Sequence, residues 1–229
     1  MTTSPPSSGS SPLPAELRAR ILAAASASPV PSRAVGRRRQ AVALAAGFAV
    51  PVALSLYLGG PTFRARPVPY VVALAVAWLG VALAATLGGV TRGRSMLGRP
   101  AFVHFLVAAV TPVALLATAL LTSTAWPETQ DDHPVAAAHA ICVAVTLVCA
   151  LGPLGAFAVL RRHSDPVAPR LTGAAIGAAS GGWGAVVIEL HCTHASTVHV
   201  LLGHVLPVVL LTLIGVLVGD RVVALRGAA

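Results

Sequence analysis

Six long apolar stretches are the feature of this sequence that most restricts its fold. A helix that crosses the hydrocarbon core of a bilayer needs about 20 predominantly apolar residues. Only helices and closed barrels satisfy their backbone hydrogen bonds inside lipid, and stretches of this length favour helices. The sequence therefore predicts an all-α, polytopic six-helix transmembrane bundle. We place its spans at roughly 41–58, 70–90, 101–122, 135–160, 171–190 and 198–218.

Small residues supply most of the apolar character. Hydrophobic residues make up 56% of the chain, charged residues 10% and aromatic residues only 4%, so Ala, Val, Leu and Gly dominate. Small side chains let membrane helices approach closely, and the glycine-rich fifth stretch is predicted to be a packing face. The sequence shows no P-loop, dinucleotide-binding or hydrolase motif. We therefore predict that the chain is not an enzyme.

The arginines predict the orientation of the bundle. The formal net charge is +9, and all sixteen basic residues are Arg, in short clusters between the apolar stretches. No cluster is long enough to follow a phosphate backbone, so direct nucleic-acid binding is not expected. With a cytoplasmic N-terminus, fourteen arginines lie on the cytoplasmic side and only Arg64 and Arg66 on the other. By the positive-inside rule, both termini are predicted to be cytoplasmic, with membrane lipid as a partner.

The first forty residues form a separate tail. Residues 1–12 are rich in Ser and Pro and are predicted to be disordered. Leu13, Leu17 and Ile21 then recur at helical spacing, and Glu16 with Arg20 forms an i,i+4 pair. We predict a short amphipathic helix at about 13–27 within a tail of residues 1–40. Residues 41–229 form the membrane domain.

Histidines and cysteines gather at the outward ends of spans four to six. The candidate signal-sensing or metal-binding residues are Cys142, Cys192, His139, His191, His194 and His204. His199 and His204 are five residues apart, which is about 140° around an α-helix. They are therefore not expected to bind one ion, and His199 is interpreted as a wet interfacial residue.

Three interpretations of this cluster remain open. Thiolate and imidazole ligands suit Zn, Cd or Cu, so a transition metal such as zinc is the one cofactor that the sequence suggests. A reversible disulfide between Cys142 and Cys192, formed in an oxidising outer compartment, is the second interpretation. The third interpretation is ordinary helix packing.

The last ninety residues resemble the NrsF family of bacterial membrane anti-sigma factors. The likeness is carried by Cys142, Pro153, Leu160-Arg161-Arg162, Pro169, Leu171-Thr172-Gly173-Ala174, Leu190-His191-Cys192, Pro207, Gly215 and Arg221. The first three spans match mainly in number and length. Where the family usually has Pro after the second cysteine, this sequence has Thr193.

The resemblance implies a function. Family members hold an extracytoplasmic-function sigma factor at the bacterial inner membrane, and a pair of family cysteines corresponds to Cys142 and Cys192. The apolar face of the N-terminal helix would then lie in a groove of the sigma factor. The residues assigned to that contact are Leu13, Leu17, Arg18, Ile21 and Leu22. The alternative function is a small multi-span transporter or a metal- or haem-binding membrane protein.

Overall fold

All regular secondary structure in the described part of the protein is helical. The computed structural model describes residues 14–27, 33–59, 67–91, 99–127, 136–162, 164, 167–194 and 196–224, and within these ranges it contains no strand. The helices are α1 (Ala15–Ala27), α2 (Arg33–Tyr57), α3 (Val68–Gly89), α4 (Ala101–Ala125), α5 (Ala136–Arg161), α6 (Pro169–His191) and α7 (Thr197–Val222). Helices α2 to α7 are each long and apolar enough to cross a membrane. The predicted all-α six-helix bundle is confirmed.

The chain divides into two compact units, Met1–Arg39 and Gln40–Ala229. In the first unit, α1 covers most of the predicted amphipathic segment, and Leu17 and Arg18 on it are exposed. Leu13 and the side chains of Ile21 and Leu22 lie outside the described residues. Helix α2 begins earlier than the first apolar stretch, so Arg37, Arg38 and Arg39 are helical. The arginines therefore precede the apolar part of the helix without a break.

Helix α6 is the centre of the second unit. It contacts α3, α4, α5 and α7, and most of its length is buried between them. Its sequence is rich in Gly, Ala and Ser, and these small residues let four helices pack around one. Without a hydrophobic driving force between helices in lipid, such close packing is a main source of association.

Glycines on α6 make the closest of these contacts. A Cβ atom added at Gly173 would lie 2.2 Å from the carbonyl oxygen of Gly215 on α7. One added at Gly177 would lie 2.1 Å from the carbonyl oxygen of Leu211, also on α7. On the other side, a Cβ at Gly184 would lie 2.3 Å from the Thr146 carbonyl oxygen of α5. The two neighbours of α6 in sequence are therefore in backbone contact with it.

Helix α2 lies at the edge of the bundle and is the least buried of the six spans. A Cβ at Gly47 would lie 2.8 Å from the Gly152 carbonyl oxygen, so α2 crosses α5 at close range. One residue further along, the Phe48 ring meets the Trp183 ring edge to face, with centroids 4.8 Å apart. Such pairs stabilise packing beyond the area that they bury. Within the described residues, α2 is therefore mostly exposed and meets the bundle at this crossing.

Gly177→Ala tests the packing of α6. The new methyl group meets the backbone of α7 at 2.1 Å, and a backbone contact has no flexible end that can move away. We expect a loss of about 1–3 kcal/mol in the free energy of unfolding, as for other overpacked cores. The measurement is thermal or denaturant unfolding of the purified protein in detergent.

Gly182→Ala on the same helix is the matched control. A Cβ at this position has its nearest neighbour at 3.5 Å, which is ordinary van der Waals contact. We expect stability within about 1 kcal/mol of the wild type, because Ala is also the better helix former. Equal destabilisation by both substitutions would contradict this account of α6.

Candidate functional site

Four buried ligand atoms meet where α5 begins and α6 gives way to α7. They belong to Cys142 on α5, Cys192 just after α6, and His199 and His204 on α7. All four lie within 4.8 Å of one another, and we call this group the Cys/His cluster. Each residue is buried, His199 and His204 completely. The cluster is a set of soft and borderline donors that could bind a transition metal.

Its internal distances match a tetrahedral metal site better than a disulfide. The Sγ atoms of Cys142 and Cys192 are 3.6 Å apart, and the three cysteines of the chain are free thiols. A disulfide requires about 2.05 Å between the sulfurs, whereas two thiolates on one zinc ion stand about 3.8 Å apart. Nε2 of His199 lies 3.2 Å from the Cys192 sulfur. Two of the donor–donor distances are therefore near those of a tetrahedral zinc site.

Hydrogen bonding and burial both affect the pKa of the Cys192 thiol. Its hydrogen bond with the Cys142 thiol, together with burial, raises the pKa of Cys192 above its ordinary value. A second contact joins this thiol to the His194 carbonyl oxygen at 3.5 Å. Because a metal ligand must be a thiolate, a metal ion that binds here would displace the proton of this thiol.

A buried carboxylate orients one of the histidines. Glu189 is on α6, less than one turn before Cys192, and its side chain is fully buried. Its Oε2 atom accepts a hydrogen bond from Nδ1 of His204 at 3.0 Å. The other ring nitrogen of His204, Nε2, is buried and has no hydrogen-bond partner among the described residues. That nitrogen is the one left to act as a ligand.

A π-helical turn in α7 brings the two histidines together. Residues Leu201–Val205 form this turn, and the backbone N–H of Leu206 donates to the Leu201 carbonyl oxygen five residues earlier. The turn holds one residue more than an α-helical turn. The rings of His199 and His204 consequently face each other, with centroids 5.3 Å apart.

Pro207 and Thr146 accommodate this turn. Proline has no N–H, so the carbonyl oxygen of Gly203 lacks its usual helical donor four residues later. The Thr146 hydroxyl of α5 lies 3.3 Å from that oxygen and 2.8 Å from the Cys142 carbonyl oxygen. A Cβ at Gly203 would lie 3.0 Å from the Cys142 Cβ. Glycine at this position therefore lets the turn approach Cys142.

The structure places the six predicted site residues in three different environments. Cys142, Cys192 and His204 belong to the cluster. His139 and His194 are outside it, and their rings pack on the His199 ring at centroid distances of 4.8 and 5.1 Å. They form a half-buried imidazole layer over the cluster.

His191 is directed away from the cluster, towards α2. Its Nε2 atom lies 3.1 Å from the carbonyl oxygen and 3.3 Å from the hydroxyl of Ser55. Its Nδ1 atom lies 2.8 Å from the Val187 carbonyl oxygen of its own helix. His133 lies outside the described residues.

The interpretation of His199 as a wet interfacial residue was wrong. Its side chain is fully buried, and it is part of the cluster. The error came from treating residues 199–204 as α-helix, in which His199 and His204 diverge by about 140°. The sequence signal that could have found the site is a proline three residues after His204, because proline disrupts the hydrogen bonds of the preceding turn.

Comparison with known proteins identifies one family. The profile of NrsF, described as "Negative regulator of sigma F", matches residues 23–224, which is nearly the whole chain. No curated protein and no solved structure matches the chain.

Thr146→Val tests the support of the π turn. The substitution keeps the shape of the side chain but removes the hydroxyl group that approaches the Gly203 carbonyl oxygen. We expect a loss of about 1–3 kcal/mol in unfolding free energy, because the Gly203 carbonyl oxygen loses the hydroxyl group that approaches it. Unfolding of the purified protein in detergent measures the loss.

Thr212→Val provides the comparison, since the Thr212 hydroxyl donates to Val208 within α7 itself. We expect a clearly smaller loss for this variant than for Thr146→Val. A Thr146→Val protein as stable as Thr212→Val would show that the hydroxyl does not support the turn.

Proposed function

The chain belongs to the NrsF family, the negative regulators of sigma F, and we propose that it is a membrane-bound anti-sigma factor. Its N-terminal segment sequesters an extracytoplasmic-function sigma factor. A signal received at the Cys/His cluster releases that sigma factor. The observation that carries the proposal is the family match over residues 23–224.

The N-terminal segment is the part of the chain suited to bind the sigma factor. In α1, Leu17 is an exposed apolar side chain next to the exposed Arg18. The apolar face predicted from Leu13, Leu17 and Ile21 fits the helix-in-groove mode of recognition. The family match begins at residue 23, so the roles of Leu13, Leu17, Arg18, Ile21 and Leu22 rest on the sequence of the helix itself.

The positions of the arginines support one orientation of the protein in the bacterial inner membrane. The arginine distribution favours cytoplasmic termini by the positive-inside rule. Because consecutive spans alternate in direction, the ends of α2 and α6 and the start of α5 then face outward, and the cluster with them. The sigma-binding segment and the cluster therefore lie on opposite sides of the membrane.

The proposed signal is a change in a transition metal, such as zinc, or in the oxidation of the two thiols. The cluster offers two sulfurs and two imidazole nitrogens within 4.8 Å, which are ligands that zinc prefers. Metal binding or loss would change how the start of α5 and the α6–α7 connection are held together. Such a local change can bias the packing of whole helices.

The transporter alternative finds less support in the described spans. A transporter needs ionisable groups near the middle of the membrane. The buried carboxylate of the described spans, Glu189, lies near the outer end of α6 and is engaged by His204. Four protein donors also leave no open position for a passing ion.

Leu17→Glu tests the sigma-binding role of α1. We expect it to weaken retention of the sigma factor by tenfold or more, because a buried leucine contributes about 1.5–3 kcal/mol to an apolar contact. The full-length protein is tagged at its C-terminus and purified from host membranes in detergent. Co-purified sigma factor is identified and quantified by mass spectrometry.

Ala19→Glu is the matched control for charge and exposure. Ala19 is also exposed on α1, but it lies two residues from Leu17 and therefore on the opposite face of the helix. We expect it to retain the sigma factor. Recovery of no sigma factor with the wild-type protein would overturn the proposed function, and equal retention by both variants would overturn the role of Leu17.

A further inference from the structure

We propose that Cys142, Cys192, His199 and His204 form a closed four-coordinate site for a zinc-type ion, with Glu189 as the positioning residue behind His204. This proposal deepens the role of the Cys/His cluster in the proposed function. Its metal-binding step can be measured without a sigma factor. The set differs from the one that the sequence suggested, because it includes His199 and leaves out His139, His191 and His194.

Three observations define the ligand set. The four donor atoms lie within 4.8 Å of one another. The two sulfurs are 3.6 Å apart, and the Cys192 sulfur is 3.2 Å from Nε2 of His199, which are distances near those between the ligands of a tetrahedral zinc ion. The side chains are buried, so no water competes from the bulk. His204 presents a buried Nε2 atom without a hydrogen bond among the described residues.

The hydrogen bond from His204 to Glu189 has the form expected behind a metal ligand. Ligating histidines commonly donate their second ring N–H to a carboxylate, which fixes the tautomer and the ring orientation. Here Nδ1 of His204 and Oε2 of Glu189 are 3.0 Å apart, and both side chains are fully buried. An uncompensated carboxylate is costly at such a position. The pair therefore explains why Glu189 is tolerated inside the bundle.

The donor set selects the class of ion. Two sulfurs and two imidazole nitrogens in a tetrahedral arrangement favour Zn²⁺ and Cd²⁺ over Mg²⁺ and Ca²⁺, which require oxygen ligands. Four protein ligands indicate a site that holds structure together and not one that activates a bound water. The ion would connect α5, α7 and the segment that follows α6.

Metal titration of the full-length protein in detergent tests the site. The protein is stripped with a chelator under reducing conditions and titrated with Zn²⁺, and bound metal is counted by mass spectrometry. Co²⁺ is then used as a spectroscopic probe, because tetrahedral thiolate coordination gives a characteristic visible spectrum. We expect one ion per chain and a tetrahedral Co²⁺ spectrum.

Variants distinguish the ligands from their neighbours. Cys142→Ser, Cys192→Ser, His199→Gln and His204→Gln should each lose the tetrahedral spectrum. Glu189→Gln should keep it but weaken affinity about 10–100-fold. Three control variants should bind metal as the wild type does. In Cys149→Ser the substituted cysteine is buried on α5 outside the cluster, and His139→Gln and His194→Gln change only the adjoining imidazole layer.

The outcomes separate the ligand set from the anti-sigma role. A wild-type protein that binds no Zn²⁺, or a His199→Gln protein that keeps the spectrum, would overturn the proposed site. Helical circular dichroism of each variant shows whether a loss of metal follows from misfolding. If the metal binds as expected but no sigma factor is ever retained, the site stands and the anti-sigma function fails.

A second inference rests on a different contact, the one between His191 and Ser55. We infer that His191 is the connection through which the cluster affects α2. His191 directly precedes Cys192, and its Nε2 atom lies 3.1 Å from the Ser55 carbonyl oxygen near the outer end of α2. Because α2 is the least buried span, a polar contact near its end is well placed to affect its position.

A double-mutant cycle tests this connection without metal or sigma factor. Cys192→Ser perturbs the cluster, and His191→Leu removes the contact to Ser55. Backbone hydrogen exchange is measured at residues 52–57 of α2. We expect Cys192→Ser to change exchange several-fold in the wild-type background and to have no further effect in the His191→Leu background.

His194→Leu serves as the control background, because His194 also follows Cys192 closely and its ring packs on His199 of the cluster. There, Cys192→Ser should retain its effect. His191→Gln, which can still donate to Ser55, should restore part of the coupling. Additive effects of Cys192→Ser and His191→Leu would overturn the inference.

Discussion

The close approach of α6 to its neighbours is the constraint on which the rest of the membrane domain depends. Helices in lipid gain little from burying apolar surface, because lipid is equally apolar, so contact at short range must hold them together. Glycines of α6 provide that contact with the backbones of α5 and α7. The same helix ends at His191 beside the cluster. The packing that stabilises the bundle therefore also fixes the position of Glu189 and Cys192.

The cluster is assembled from parts that are distant in sequence and that each have a separate support. Cys142 lies on α5, which is held against α6 at Gly184, and Thr146 below it meets the π turn of α7. His204 is oriented by Glu189 from α6. The four donors are thus supported from three helices, α5, α6 and α7. In the proposed function, a change at the cluster would therefore act on all three helices.

The sequence predicted the fold well because the bilayer imposes a length and a polarity that can be counted directly. It also indicated Cys142, Cys192 and His204, since they lie at neighbouring span ends. It failed on His199 because the position of that ring depends on a π turn, which Pro207, Gly203 and a threonine on another helix accommodate together. It could not separate His191 from the cluster either. Adjacent residues at a helix end point in different directions, and only the packed neighbours show which one faces α2.

The π turn also lets α7 place two sets of residues on the faces where each set makes its contacts. Towards its C-terminal end, Leu211, Gly215 and Gly219 form a stripe that must follow the groove of α6. Towards its N-terminal end, His199 and His204 must face the cluster. In an uninterrupted α-helix, His204 would share the phase of this stripe, because it lies seven residues before Leu211, but His199 would point about 140° away from His204. The extra residue shifts the phase once, so the two halves of α7 act as differently aligned helices joined without a break. A membrane helix can thus pack along one neighbour and also contribute two histidines to one cluster, which its regular period would make incompatible.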